Sequence, residues 1–315
     1  MDSNRLPSFA IVGTGAIGGF YGARLQRAGH EVHFLLRGDF SHVRDHGLRI
    51  DSKDGDFVLP RVNAYDRADA VPPCDVAVVA LKTVQNALLP AILPGLVKPG
   101  GVVLVLQNGL GAEENIAGFV ENAHIVGGLC FICSNKIGPG HIRHIDFGSI
   151  TMAPYSPNGL AAATTSPVLK LAEHFKRAGI LVRTETDLQA ARWKKLVWNI
   201  PYNGLSVVLN ATTDQLMKNG PSRDLVTNIM EEVVMGAASC GHAIPPEYAA
   251  EMLEYTDSMP PYKTSMKIDY DEKRPLEIES IFGNPLRAIC QAHGRSHRIE
   301  MLYRQLRYLN DRNCR

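Results

Sequence analysis

Residues 9–37 read FAIVGTGAIGGFYGARLQRAGHEVHFLLR. The opening FAIV is short and apolar throughout, the pattern of a strand buried on both faces. Gly13, Thr14, Gly15, Ala16, Ile17 and Gly18 follow as a G-x-G-x-x-G, and from Ala16 small and apolar residues recur at helical spacing as far as Gly29. A second apolar run occupies residues 31–36. The order is strand, glycine turn, helix, strand. Each glycine then has a use: Gly13 permits the tight turn, Gly15 lets backbone approach a pyrophosphate, and Gly18 lets helix pack closely on strand. Amides at the helix N-terminus face the phosphates. A bare G-x-G-x-x-G carries little weight in a chain with 28 glycines. The strand before it and the helix after it are what point to a dinucleotide.

The end of the second strand chooses between dinucleotides. A carboxylate there accepts a hydrogen bond from the ribose 2′-hydroxyl of NAD, whereas a guanidinium suits the 2′-phosphate of NADP. The residue is Arg37, with Asp39 two places later, and the expected cofactor is therefore NADP.

The rest of the composition is that of a globular chain. Its 315 residues are 45% hydrophobic, enough for one large or two ordinary domains with real cores. Thirty-three basic and 32 acidic side chains leave a net charge of +1 without a long basic run, so neither nucleic acid nor an anionic membrane is expected as a partner. The N-terminal MDSNRLPS has no basic segment followed by an apolar core, and the apolar runs are strand-sized. A cytoplasmic location is expected. The six scattered cysteines suit a reducing compartment.

Along the chain, residues 75–81 (DVAVVAL) and 102–106 (VVLVL) read as further interior parallel strands, and short strands are assigned loosely at 48–50 and 57–59. With helical patterns between them, these make an α/β, Rossmann-like doubly wound sheet. Ligands of such sheets bind beyond the carboxyl ends of strands. There the chain carries Lys82 in LKTVQ and Asn108 in QNGLG. Two readings stand for each: a cofactor contact, or a solvated cation and a turn dipeptide. Cys130 and Cys133 on strand 125–134 cannot converge on one ion, since residues three apart on a strand point to opposite faces; the same holds for His141 and His144 on strand 141–146. Buried thiols and ordinary surface or turn histidines are expected, and no metal. A helix at 166–178 and a last strand at 180–184 precede a change of character near Asp187, beyond which helical patterns take over. The expected division is residues 1–186, binding NADP, and 187–315, an all-helical C-terminal domain.

Within the second part, residues 188–211 read LQAARWKKLVWNIPYNGLSVVLNA. Lys195, Asn199 and Asn203 fall at i, i+4 and i+8, which aligns them on one helix face amid apolar neighbours. Such a stripe needs partners, because an unpaired buried amide costs about 1–3 kcal/mol. A ligand with oxygens is one solution; solvation of the lysine and capping by the asparagines is the other. Pro201 is expected to kink or break the helix between Asn199 and Gly204. In residues 263–282, KTSMKIDYDEKRPLEIESIF, Pro275 suits the first turn of a helix and puts Glu277 in that same turn. Ser265 and Asp269 precede it.

Taken together, GTGAIGG, LKT, QNGLG, WKKLVWNIPYNGL and SMKID with RPLEI resemble the ketopantoate reductase family over nearly the whole chain. The resemblance implies NADPH-dependent reduction of 2-dehydropantoate in pantothenate biosynthesis, with a cleft between the two domains for the keto acid. By motif position it implies Lys195 and Glu277 as catalytic, and Asn199, Asn203, Ser265 and Asn108 against the substrate. Against the cofactor it implies the six residues of the glycine motif with Arg37, Lys82, Asn108 and Glu277. It leaves open a homodimer, a related NADP-dependent reductase of another 2-keto or 3-hydroxy acid, and a non-catalytic NADP-binding sensor.

Overall fold

The strand, turn, helix, strand order of residues 9–37 is realised almost residue for residue in the structure, a computed structural model that describes residues 5–157 and 165–314. Residues 1–4 of the N-terminal stretch lie outside the described residues. β1 (Phe9–Val12) leads through the glycine turn into α1 (Ala16–Arg27), which ends before Gly29 at φ +93°, and β2 (Val32–Leu35) follows. The chain divides into two compact units, one of residues Met1–Gln107 with Ala112–Leu188, the other of Asn108–Gly111 with Gln189–Arg315.

The first unit is built on a ten-stranded sheet. After α2 (Phe40–His46) come β3 (Leu48–Ser52), β4 (Phe57–Leu59), β5 (Asn63–Tyr65), β6 (Cys74–Val79), α3 (Leu89–Leu96), β7 (Val97–Val105), α4 (Ala112–Ala117), β8 (Ala123–Gly138), β9 (His141–Pro154), α5 (Ser166–Arg177) and β10 (Val182–Thr184). The strand order is β4-β3-β9-β8-β7-β6-β1-β2-β5, with β10 beside β9. β1 pairs in parallel with β2 and β6, β6 with β7, and β7 with β8. Alternation along β1 explains the two cores. Phe9 and Ile11 join Phe20 and Leu25 of α1 and Phe175 of α5, whereas Ala10 and Val12 join Leu89 and Leu93 of α3 and Ile116 of α4. Helices thus cover both faces of the sheet, as continuous apolar strands require.

The antiparallel hairpin of β8 and β9 is far longer than the sequence pattern suggests. Its outer half carries exposed Lys136, Ile137 and Ile145, so no apolar alternation marks it. The register slips between Phe131 and Ile132 and again between Cys133 and Ser134. Phe147 at φ +61° and Gly148 at φ +119° lie beside the first slip. α2 and β5 also escape the sequence reading. Cys130 and Cys133 are buried thiols as expected. His144 is not a surface residue: it is 2% exposed, its Nδ1 lies 2.8 Å from Ser52 Oγ and its Nε2 2.9 Å from Phe147 O. Among the described residues no group of His, Cys, Asp and Glu is placed to hold a metal ion, and no helix is long and apolar enough to cross a membrane.

Four imidazoles of this unit, His30, His33, His144 and His174, are held below the ordinary value of 6.5 chiefly by burial. Each is therefore less readily protonated in the folded chain than in the unfolded one. The stability they contribute is whole above 6.5 and is lost as pH falls through the depressed folded values. The thermal midpoint by scanning calorimetry is expected to drop between about pH 7 and about pH 5, a window above the range where carboxylates titrate. An unchanged midpoint over that interval would show that their burial does not hold the imidazoles neutral.

The second unit is helical: α6 (Leu188–Val208), α7 (Thr213–Lys218), α8 (Gly220–Ser239), α9 (Tyr248–Asp257), α10 (Ser265–Asp271), α11 (Asn284–Gln291) and α12 (His297–Asn313). The expected break at Pro201 does not occur, and α6 runs through it. One lost backbone hydrogen bond is offset by packing, for Trp193, Leu196, Val197, Ile200, Tyr202 and Leu205 are all buried in one core. Gly204 explains itself by the same packing: a Cβ there would lie 3.0 Å from Leu302 and 3.2 Å from Phe282.

Candidate active site

In the first unit the glycine turn has the shape that a dinucleotide needs. Gly13 takes φ +100° with its Cβ position 2.7 Å from Leu81 N, and a Cβ on Gly18 would lie 2.2 Å from Gly13 O. Both positions are closed to any side chain by the protein itself. Gly15 differs: a Cβ there meets nothing within 4 Å, so the absence of a side chain leaves open space in front of α1. No side chain caps α1 and no acid lies in its first turn, which leaves its positive end for an anion. Thr14 Oγ1 donates to Leu35 O at 3.1 Å and ties the turn to the end of β2. Two residues beyond that end Arg37 is exposed. The residues present therefore suit a pyrophosphate and an anionic adenosine end.

Beyond β6, Lys82 opens a short 3-10 turn, its carbonyl accepting from Gln85 N–H. Gln107, which the sequence reading passed over, is buried and donates from Nε2 to Leu81 O at 2.8 Å and to Asn86 Oδ1 at 2.6 Å. It fastens the loop after β7 to the loop after β6. A glutamine directly before Asn-Gly at a strand end was the available signal.

The segment Asn108–Gly111 belongs to the second unit and is stapled there by backbone. Leu110 N–H donates to Ser280 O at 2.9 Å, and Asn284 Nδ2 donates to Leu110 O at 2.6 Å. Gly109, at φ +88°, lies so close to Ser280 that a Cβ would come 2.1 Å from its carbonyl oxygen. This fixes Asn108, whose Oδ1 accepts from Lys195 Nζ at 2.8 Å. The catalytic candidate is thus oriented by an amide 87 residues away in sequence.

The polar stripe of α6 is real and largely buried. Lys195 is half-buried, Asn199 is 7% and Asn203 3% exposed, and Asn203 Oδ1 has no hydrogen-bond partner among the described residues. The stripe goes one turn further than expected. Ser206 donates to Asn203 O at 3.1 Å and lies 2.8 Å from Thr264 Oγ1, and Thr264 in turn accepts from Lys267 N–H and so caps α10. Through this pair α6 is joined to the residue next to Ser265, which is exposed. Asp269 is occupied elsewhere, by Arg274 Nε at 2.8 Å.

Glu277 is displaced from its expected place. Residues 274–277 belong to no helix or strand, Ile278 N–H closes a tight turn on Leu276 O at 2.9 Å, and the π-turn follows over Glu279–Gly283, so Pro275 is not in its first turn. Leu276 N–H donates instead to Asn310 Oδ1 at 3.0 Å, which holds the chain off the helical path. Glu277 lies two positions before the turn, its carbonyl accepting from Ile281 N–H at 3.3 Å and from Ser280 Oγ at 3.3 Å. Ser280 is also the residue against which Gly109 and Leu110 rest, so one short turn links the Glu277 backbone to the loop carrying Asn108.

Comparison with known proteins identifies the family. The family descriptions "Ketopantoate reductase PanE/ApbA" and its C-terminal counterpart match residues 9–157 and 187–310. A 2-dehydropantoate 2-reductase of Nostoc sp. is 54% identical over 305 residues, covering 97% of this chain and 96% of its own. The crystal structure of 2-dehydropantoate 2-reductase from Geobacter metallireducens GS-15 superposes with a TM-score of 0.89 at 42% identity, over 97% of this chain and 99% of that one. That from Methylococcus capsulatus does so with a TM-score of 0.87 at 31% identity, over 98% of each. With both halves of the chain matched and the relationship extending over nearly its full length, the chain belongs to the ketopantoate reductase family.

Proposed function

We propose that this protein reduces 2-dehydropantoate to pantoate with NADPH, the step that serves pantothenate biosynthesis. The observation that carries the reading is the Lys195 ammonium, held at 2.8 Å by Asn108 on the same α6 face as the unpartnered Asn203 Oδ1. Residues 1–186 are proposed as the NADP-binding domain and 187–315 as the substrate and catalytic domain. NADPH, when bound, supplies the hydride that reaches the ketone carbon. Its proposed holders are Gly13, Thr14, Gly15, Ala16, Ile17 and Gly18 for the pyrophosphate, Arg37 for the 2′-phosphate, and Lys82, Asn108 and Glu277.

In this reading Lys195 is the general acid. As the ketone carbon is reduced, its oxygen becomes an alkoxide, and Lys195 Nζ donates the proton that completes the alcohol. The positive donor stabilises charge that exists mainly in the transition state, and this is where a fixed ammonium lowers a barrier. Asn108 keeps the ammonium aimed before substrate arrives, which lessens the reorganisation needed during reaction. Asn203 Oδ1 is an acceptor awaiting a donor, and the hydroxyl of 2-dehydropantoate is one. Asn199 lies one helical turn away on the same stripe, Ser265 is proposed to hold the substrate carboxylate, and Glu277 to act as partner of Lys195. A homodimer and a cytoplasmic setting complete the reading.

The test is NADPH oxidation by the purified protein with 2-dehydropantoate, run beside NADH and beside a panel of other 2-keto acids. Turnover with a higher kcat/KM for NADPH and for 2-dehydropantoate than for the alternatives is expected. A higher kcat/KM on another keto acid would move the substrate assignment, and tight NADPH binding without turnover on any would end the catalytic reading.

A further inference from the structure

The outer half of β8 brings two side chains to the glycine turn. Ser134 Oγ lies 3.4 Å from Ala16 O, and two residues on, along the same strand face, Lys136 Nζ lies 3.4 Å from Thr14 O. Lys136 also pairs with Asp39, whose side chain is 11% exposed against 32% for the lysine. The same Asp39 oxygen, Oδ2, also accepts from the Gly140 N–H at 3.0 Å, at the tip of the same hairpin. Asp39 is the carboxylate that stands nearest to the position where an NAD-binding chain offers an acceptor to the ribose 2′-hydroxyl. Here one of its two oxygens is already committed to an ammonium and a backbone amide. Arg37, two residues before it, has no side-chain partner among the described residues.

We propose that Lys136 is the second cation of the 2′-phosphate site and, through Asp39, the residue that turns the site from NAD to NADP. The proposal rests on the NADP reading above. Lys136 acts in two ways. Its pairing with Asp39 cancels a negative charge that would repel a phosphate and occupies one of the two oxygens that could accept from a bare ribose. When the 2′-phosphate is present, the partly exposed ammonium turns toward it and shares it with Arg37. A flexible ammonium suits this exchange, because it binds phosphate as a movable point charge rather than as a rigid fork. The residue comes from a hairpin distant in sequence from the end of β2.

Calorimetric titration of the purified full-length protein with 2′,5′-ADP and with 5′-ADP isolates the phosphate from the chemistry. Wild type is expected to favour 2′,5′-ADP. Lys136→Met should lose roughly tenfold to a hundredfold of that preference, the range of one charge-assisted hydrogen bond, with 5′-ADP affinity kept or raised because the freed Asp39 oxygen can accept from the ribose, and with a cooperative thermal transition as the check on folding. Lys136→Arg should keep most of it. The double variant Lys136→Met with Asp39→Asn should not recover the preference, because the phosphate still lacks its ammonium. Full recovery in the double variant would reduce Lys136 to a counter-ion of Asp39 and overturn the phosphate contact. A preference unchanged in Lys136→Met would overturn the proposal while leaving the NADP reading intact. A wild type indifferent to the 2′-phosphate would overturn both.

Discussion

Lys195→Ala is expected to lower kcat by about 10²- to 10⁴-fold, the range that general acid catalysis supplies, with a much smaller change in NADPH affinity. The ammonium contributes most when the carbonyl oxygen becomes negative, so its loss falls on the transition state rather than on the bound ground state. The neighbouring Lys194→Ala is the control. Lys194 is off the four-residue step to Asn199, and its removal should leave kcat within about twofold, as expected of a partly exposed side chain outside the site. Steady-state kinetics and a nucleotide titration on both variants separate the outcomes. Near-normal turnover in Lys195→Ala would remove it from the mechanism, and a collapse in both variants would point to damage to α6 rather than to chemistry. The helix itself should tolerate the change, since alanine is the best helix former.

The second large effect is expected far from α6 in sequence. Gly109→Ala places a Cβ 2.1 Å from Ser280 O and 2.3 Å from Ser280 C, both backbone, at a φ of +88°. Neither atom can step aside as a side chain would. The left-handed conformation alone costs an alanine about 1–2 kcal/mol, and the contact adds to it by moving the loop. The hydrogen bond from Leu110 N–H to Ser280 O is then broken, and Asn108 leaves Lys195. A displacement of about 1 Å at such a site can cost on the order of 10²-fold in kcat/KM, and that loss is expected together with a lowered thermal midpoint. Gly55→Ala calibrates the result. Gly55 also has a positive φ, +108°, but nothing lies within 4 Å of its Cβ position. It should lose stability by the conformational cost alone and keep wild-type kinetics. If Gly109→Ala behaves like Gly55→Ala, the loop of residues 108–111 does not hold Asn108 in place for catalysis.

Much of the fold is written locally. The apolar run, glycine turn and helix of residues 9–29 obey backbone rules that act within a few residues, and so does the i, i+4, i+8 stripe of Lys195, Asn199 and Asn203. Those elements stand where the sequence puts them, because a strand or helix repeat makes its own face visible. Pro201 shows the limit of the same logic. Its local cost is a tendency to break the helix, but the buried side chains around it outweigh a single missing hydrogen bond. Pro275 fails in a similar way, since Asn310 takes the Leu276 amide that a helical first turn would have left to solvent.

What the sequence by itself determined is the kind of protein: an α/β dinucleotide fold, a helical second part, and the family whose motifs both carry. The tertiary structure alone decided which residues meet. Asn108 reaches Lys195 across 87 positions, Ser206 reaches Thr264 across 58, and Lys136 reaches Asp39 from the far end of a hairpin whose exposed half has no strand pattern. No periodicity reports such pairs, because periodicity is set by the backbone repeat. The pairs are set by where whole strands and helices come to rest once their apolar faces are buried.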